Sequence, residues 1–101
     1  MYGLKETTID SIQGVFGKYP QVEKAILYGS RAKGNYRNGS DIDLTLIGSA
    51  LDLSLLFKIE SALDHLLLPY KIDLSALHQI ENQELLDHIG RVGVVFYEKN
   101  I

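Results

Sequence analysis

Between residues 25 and 47 two strand signals flank a Gly-Ser corner, and this stretch limits the possible folds more than any other part of the chain. Ala25-Ile26-Leu27-Tyr28 is apolar on both faces, the pattern of a buried strand, and it sits in a predicted strand over 22–28. It runs straight into Gly29-Ser30, where 30–34 reads as a corner with room for a short helix. An Asn- and Gly-rich loop over 35–40 follows. Then Asp41-Ile42-Asp43-Leu44-Thr45-Leu46-Ile47 alternates with period two, which puts both acids and Thr45 on one face of a second strand.

The rest of the chain alternates helix and strand. Ile9, Ile12, Val15 and Phe16 recur at helical spacing over 4–18, and Gly17 and Pro20 bracket the end of that helix. Asp52 is placed to cap a helix running to about residue 67, with Leu53, Leu56, Phe57, Ile59 and Leu63 as its apolar stripe and Pro69 as its stop. A third strand is expected over 70–74, and a last helix over 82–89, with Glu84 in its first turn and Gly90 closing it. A final strand is expected over 93–97. This order predicts one small sheet with helices packed on it, an α/β or α+β domain.

Size and charge narrow the function. A chain of 101 residues has room for one modest core, so 1–101 is read as a single domain. Charged residues are 23% and hydrophobic residues 46%, which marks an ordinary globular composition rather than a disordered one. The apolar stretches at 53–57 and 66–68 fall far short of the ~18 residues a membrane span needs. The first residues lack the basic and apolar regions of a secretory signal, and the chain has no cysteine for disulfides or thiolate metal sites. A cytoplasmic protein is therefore expected. The net charge of −3 argues against a long nucleic-acid groove. The one basic cluster, Arg31, Lys33 and Arg37, suits a small polyphosphate.

Asp41 and Asp43 stand two apart on a predicted strand, with Cα atoms roughly 6.5 Å apart. Two carboxylates at that spacing can bracket a pair of metal ions about 3.5–4 Å apart. They fit a solvent-facing strand equally well, since their repulsion is only ~2.5 kcal/mol at an effective dielectric of 20. Asp73 lies between apolar neighbours in Lys71-Ile72-Asp73-Leu74. Should that strand lie beside the Asp41–Asp43 strand, three carboxylates converge, and a hard cation relieves their repulsion. Otherwise Asp73 is an exposed acid on an edge strand. Gly29 lets a phosphate approach the backbone, Ser30 can cap a short helix, and Arg31 and Lys33 add positive charge; an ordinary strand-to-helix turn has the same look. Neither a P-loop nor a Rossmann glycine fingerprint is present. His65, His78 and His88 lack metal-ligand spacing and read as surface or interface residues. Tyr28, Tyr36, Tyr70 and Tyr97 read as core or rim, with Tyr36 in a loop that a nucleobase or acceptor can pass.

Taken together, Gly29-Ser30-Arg31-Ala32-Lys33-Gly34, Ser40-Asp41-Ile42-Asp43-Leu44 and the later Asp73 resemble the polymerase-β-type nucleotidyltransferase superfamily, in particular its minimal stand-alone members. The resemblance covers nearly the whole chain. It implies that Gly29 and Ser30 hold the β- and γ-phosphates, with Lys33 beside them and Arg31 either meeting phosphate there or forming a salt bridge within the fold. Asp41, Asp43 and Asp73 would bind two Mg²⁺ ions, and Asp73 would help deprotonate the attacking hydroxyl. Similar members carry Arg-Glu-Gly before the last strand, where this chain has Arg91-Val92-Gly93. The implied activity is transfer of a nucleoside monophosphate, AMP from ATP, to a hydroxyl. The implied setting is that of an antitoxin that binds and adenylylates a small helical HEPN-type toxin. Two alternatives stay open: a non-catalytic module that neutralises a HEPN protein by contact, and a transferase acting on a small molecule in a partner-built site.

Overall fold

The computed structural model describes residues 1–100, and its sheet is organised around β1 (Lys24–Tyr28). β1 pairs antiparallel on one side with β2 (Ile42–Ile47) and on the other with β4 (Val94–Glu98). β3 (Ile72–Ala76) adds to β2 in parallel, giving the order β3-β2-β1-β4. The helices are α1 (Glu6–Gly17), the one-turn α2 (Gly29–Lys33), α3 (Leu53–Asp64) and α4 (Gln83–Val92), with a 3₁₀ turn at Leu77–Gln79. The mixed sheet with flanking helices is the α/β architecture expected from the sequence.

Period-two alternation divides the two faces of this sheet. Ile42, Leu44 and Leu46 on β2, with Ala25 and Leu27 on β1, form one core with Ile12, Val15 and Phe16 of α1 and Leu56, Ile59 and Leu63 of α3. Each large side chain fully buried there contributes roughly 1.5–3 kcal/mol. The opposite face carries Tyr28, Asp43, Asp73 and Ser75, the positions that alternate with the core residues. α4 lies against this second face, where Ile26 of β1 stands close to Gly93 and His88 meets Tyr28.

The cap expected at Asp52 forms, accepting from the Leu55 N–H at 2.8 Å, and Asn82 caps α4 in the same way, accepting from the Leu85 N–H at 3.0 Å. The α3 stripe is narrower than its periodicity suggested, because Leu53 and Phe57 are 56% and 60% exposed. α3 also stops at Asp64, well before Pro69, and the chain then turns through Leu67, whose φ is +55°. α4 runs past Gly90 to Val92. Gly90 has open space around it, and a helical glycine costs only about 1 kcal/mol relative to alanine, so it does not break the helix. The stop comes at Gly93, where a Cβ would collide with the Ile89 carbonyl oxygen and press on Ile26 Cγ2 at 2.8 Å.

Candidate functional site

The register places Tyr28, Asp43 and Asp73 in one row across three adjacent strands. Asp43 pairs with Tyr28 on the antiparallel side and with Asp73 on the parallel side, so two carboxylates leave the same face of neighbouring strands. Strands in a sheet are about 4.8 Å apart, closer than the i, i+2 spacing along one strand. Asp41 is exposed one residue before β2, and its charge still reaches Asp43. Burial pushes the Asp43 carboxyl above the ordinary carboxylate range, and the charges of Asp73 and Asp41 push it further, against a smaller opposing pull from His88. Burial likewise raises the Tyr28 hydroxyl; a hydrogen bond with Ser75 opposes this, and Asp73 and Asp43 add to the rise.

Beyond this row the same face is closed. Thr45 is fully buried, and the Ser75 hydroxyl donates to Thr45 Oγ1 at 2.9 Å. The polar alternation of β2 therefore serves two purposes: its acids face an opening, while its threonine is satisfied inside the protein. Tyr28 and Ser75 belong to the floor of the site, and neither was expected there. Ser75 follows Asp73 by two residues, the one sequence signal that it shares the acid-bearing face.

Gly29 supplies the other side of the opening. Its φ is +73°, and a Cβ at this position would run into Asp43 Oδ2, so the turn and the acid can come together only with glycine here. Gly29 is the first residue of α2 and Tyr28 is its N-cap, with no side-chain cap. Ser30 is therefore inside the helix and not the expected cap; the chain reaches the helix one residue earlier than the sequence suggested. The Gly29 N–H donates to His88 Nε2 at 3.2 Å, and the His88 ring stands edge-on to Tyr28 at 6.1 Å between centroids. His88 thus belongs to the site rather than to an unrelated surface. It lies 59 residues from Gly29 in sequence, so no local spacing announces it.

Arg31 departs from the expectation of a phosphate contact. It is 2% exposed; Nε and Nη2 both donate to the Ser40 carbonyl, at 3.1 and 2.9 Å, and Nη1 donates to the Tyr2 carbonyl at 2.8 Å. Tyr36 and Tyr70 lie 5.4 and 4.9 Å from its guanidinium carbon. Tyr36 stays exposed in the loop between α2 and β2, where it is tied to Arg31 and packs beside Gly3. The physical reason is a surplus of carbonyl acceptors around α2, which a buried guanidinium satisfies with its fixed fork of donors. Because Ser40 directly precedes Asp41, Arg31 joins the Gly-Ser turn to the start of the acidic strand. Lys33 is exposed at the end of α2, and Arg37 is exposed in the following loop.

Among the described residues, no three acidic or histidine side chains close into a complete metal cage. The donors at the opening are carboxylate oxygens, the hard ligands Mg²⁺ prefers, and Mg²⁺ characteristically takes one or two of them and fills its shell with water and substrate phosphates. Burial is the main reason Asp43 holds its proton more tightly, and the charges of Asp73 and Asp41 add to it; that added repulsion is what a divalent cation would relieve. The residues present therefore fit such an ion.

Residues 10–101 match the family model described as polymerase beta, nucleotidyltransferase. No curated protein matches the chain in sequence. A toxin–antitoxin complex solved with AMP-PNP contains a similar fold, with a TM-score of 0.71 and 21% identity over 96% of this chain and 76% of the other. The tri-AMPylated HEPN toxin of Shewanella oneidensis in complex with MNT antitoxin gives a TM-score of 0.69 at 17% identity, covering 95% of this chain and 74% of that one. A protein of Sulfolobus solfataricus assigned as a nucleotidyltransferase gives 0.54 at 18% identity over 96% of this chain and 92% of its own. At these identities the likeness speaks for the fold, and the family match speaks for descent: the chain belongs to the polymerase-β-type nucleotidyltransferases.

Proposed function

We infer that this protein transfers AMP from ATP to a hydroxyl on a helical HEPN-type partner, and so acts as the antitoxin of that pair in the cytoplasm. The observation that carries the reading is the pairing of Asp43 with Asp73 across β2 and β3, directly beside a glycine turn that a side chain would block. The two structural neighbours that contain AMP-PNP and an AMPylated HEPN toxin support the choice of nucleotide and partner.

Asp41, Asp43 and Asp73 would hold Mg²⁺, which when bound neutralises phosphate charge and polarises the phosphoryl oxygens. Gly29 keeps the approach to the backbone open, and Ser30 and Lys33 are the polar and cationic groups on α2 available to the β- and γ-phosphates. The acceptor oxygen attacks the α-phosphorus, and the bond from that phosphorus to the bridging oxygen breaks. AMP is thereby joined to the acceptor and pyrophosphate leaves. Asp73 is the exposed member of the facing pair and takes the hydroxyl proton. Buried Tyr28 lies beneath the acids as the apolar floor that keeps water from one side of them.

Incubation with α-labelled ATP, Mg²⁺ and the neighbouring helical protein tests this. Label on the partner, with stoichiometric pyrophosphate and loss of both in Asp43→Asn, is the expected result. Tight partner binding without any transfer would leave a contact inhibitor in its place. Label found only on a small molecule would move the acceptor off the partner.

A further inference from the structure

We propose that His88 is a positioning residue that clamps the Gly29–Ser30 turn from α4. The clamp is visible in two contacts around one ring. Nε2 accepts the Gly29 N–H at 3.2 Å, so the neutral ring carries its proton on Nδ1. The ring edge rests on Tyr28, the residue just before the turn, at 80° between planes. The turn it holds is the one whose Cβ space is filled by Asp43 Oδ2.

The need for a clamp follows from the turn itself. α2 is a single turn of helix whose N-cap, Tyr28, offers no side-chain acceptor, so its first N–H groups have no intrahelical partner. A glycine with positive φ is also the least restrained residue in the chain at that point. His88 supplies the missing acceptor from another element. It takes up the Gly29 N–H, so the backbone at residue 29 stays fixed against Asp43. α4 thus sets the geometry of the nucleotide turn. The proposal takes the turn as the phosphate site of the function inferred above, but the clamp exists or fails independently of the nucleotide.

Two variants separate the hydrogen bond from the packing. His88→Phe keeps a ring against Tyr28 and has no acceptor; His88→Gln places an amide oxygen near the position of Nε2. In ligand-free protein, the Gly29 amide is expected to exchange with solvent about tenfold faster in the Phe variant and to regain protection in the Gln variant, with the melting temperature lowered by several degrees in the Phe variant and largely restored in the Gln variant. Calorimetric titration with ATP and Mg²⁺ is expected to follow the same order, with Kd raised about tenfold by Phe and within about threefold of the parent for Gln. Equal Gly29 protection in the Phe variant, or a Gln variant no better than Phe, overturns the clamp. Failure of the parent protein to bind ATP overturns the functional reading instead, and Gly29 exchange still decides whether His88 holds the turn.

Discussion

Asp43 on β2 and Asp73 on β3 are direct partners in a parallel strand pair, so their carboxylates share one face at the spacing of neighbouring strands. Like charges so placed repel by about 1 kcal/mol in bulk water and by about 3.5 kcal/mol at an effective dielectric of 20, and the exposure of Asp73 draws the value toward the lower figure. Asp43→Asn removes that repulsion and the cost of burying the charge. It is expected to stabilise the fold by about 0.5–1 kcal/mol, a rise of a few degrees in Tm, while transfer falls by at least about 100-fold. Thermal unfolding and a pyrophosphate-release assay on the same sample read the two opposite changes. A variant that melts lower than the parent would contradict the assignment of strain to this pair.

The pH dependence carries a definite sign. Asp43 holds its proton more tightly in the folded chain than in the unfolded one, because burial and two neighbouring acids disfavour its charge. Its ionisation therefore costs stability as pH rises from the usual carboxylate range through the raised Asp43 midpoint, and the cost stays constant above that. Urea unfolding of the parent and of Asp43→Asn between pH 4 and 7, expressed as a difference, isolates this step, in a range set by the ordinary Asp value of about 3.9 and its upward shift. The stability advantage of the Asn variant is expected to grow over the lower part of that range and then level off.

Mg²⁺ alone, without nucleotide, is expected to raise the melting temperature of the parent protein by a few degrees at concentrations well above its Kd. Asp43→Asn and Asp73→Asn are expected to lose most of that rise, because each removes one of the facing oxygen donors. Ca²⁺ tolerates looser geometry and serves as a comparison in the same differential scanning measurement. An equal response in parent and variants would place the ion elsewhere.

Arg31→Lys tests the clasp between α2 and the acidic strand. A lysine cannot reproduce two donors on the Ser40 carbonyl together with one on Tyr2, nor the planar face between Tyr36 and Tyr70. A loss of about 2–3 kcal/mol in urea unfolding is expected, and Arg31→Ala is expected to cost more, since it leaves buried carbonyls unpaired. Activity is expected to drop with either, because Ser40 leads directly into Asp41.

Leu67 offers the opposite effect. It is 88% exposed and carries a positive φ between α3 and β3, so its side chain contributes little packing and strains the backbone. Leu67→Gly is expected to stabilise by about 0.5–1 kcal/mol, the left-handed penalty less the extra chain entropy of glycine. Chemical denaturation checks this directly.

Much of the architecture was legible in the chain because its signals are local. The alternation over Asp41–Ile47, the apolar run before Gly29 and the cap at Asp52 each depend on neighbours a few residues away, and each forms as read. Leu53 and Phe57 misled because helical spacing marks a stripe without saying how wide the opposing surface is; α3 covers the core with Leu56, Ile59 and Leu63, flanked by Leu55 and Ala62. Gly90 misled because an exposed glycine can be carried within a helix whose packing holds it on both sides.

The sequence by itself determined the mixed helix-and-strand order, the glycine turn and the presence of three acids in strand-like surroundings, since backbone preference and period-two patterning are properties of short segments. Tertiary structure alone decided that Asp73 stands opposite Asp43, that Arg31 turns inward to Ser40 and Tyr2, and that His88 comes to Gly29. Those relations join residues of different elements. Their partners are chosen by which strand takes the edge and which face α4 covers, and that choice minimises buried polar groups and exposed apolar surface over the whole chain, a sum no short segment carries.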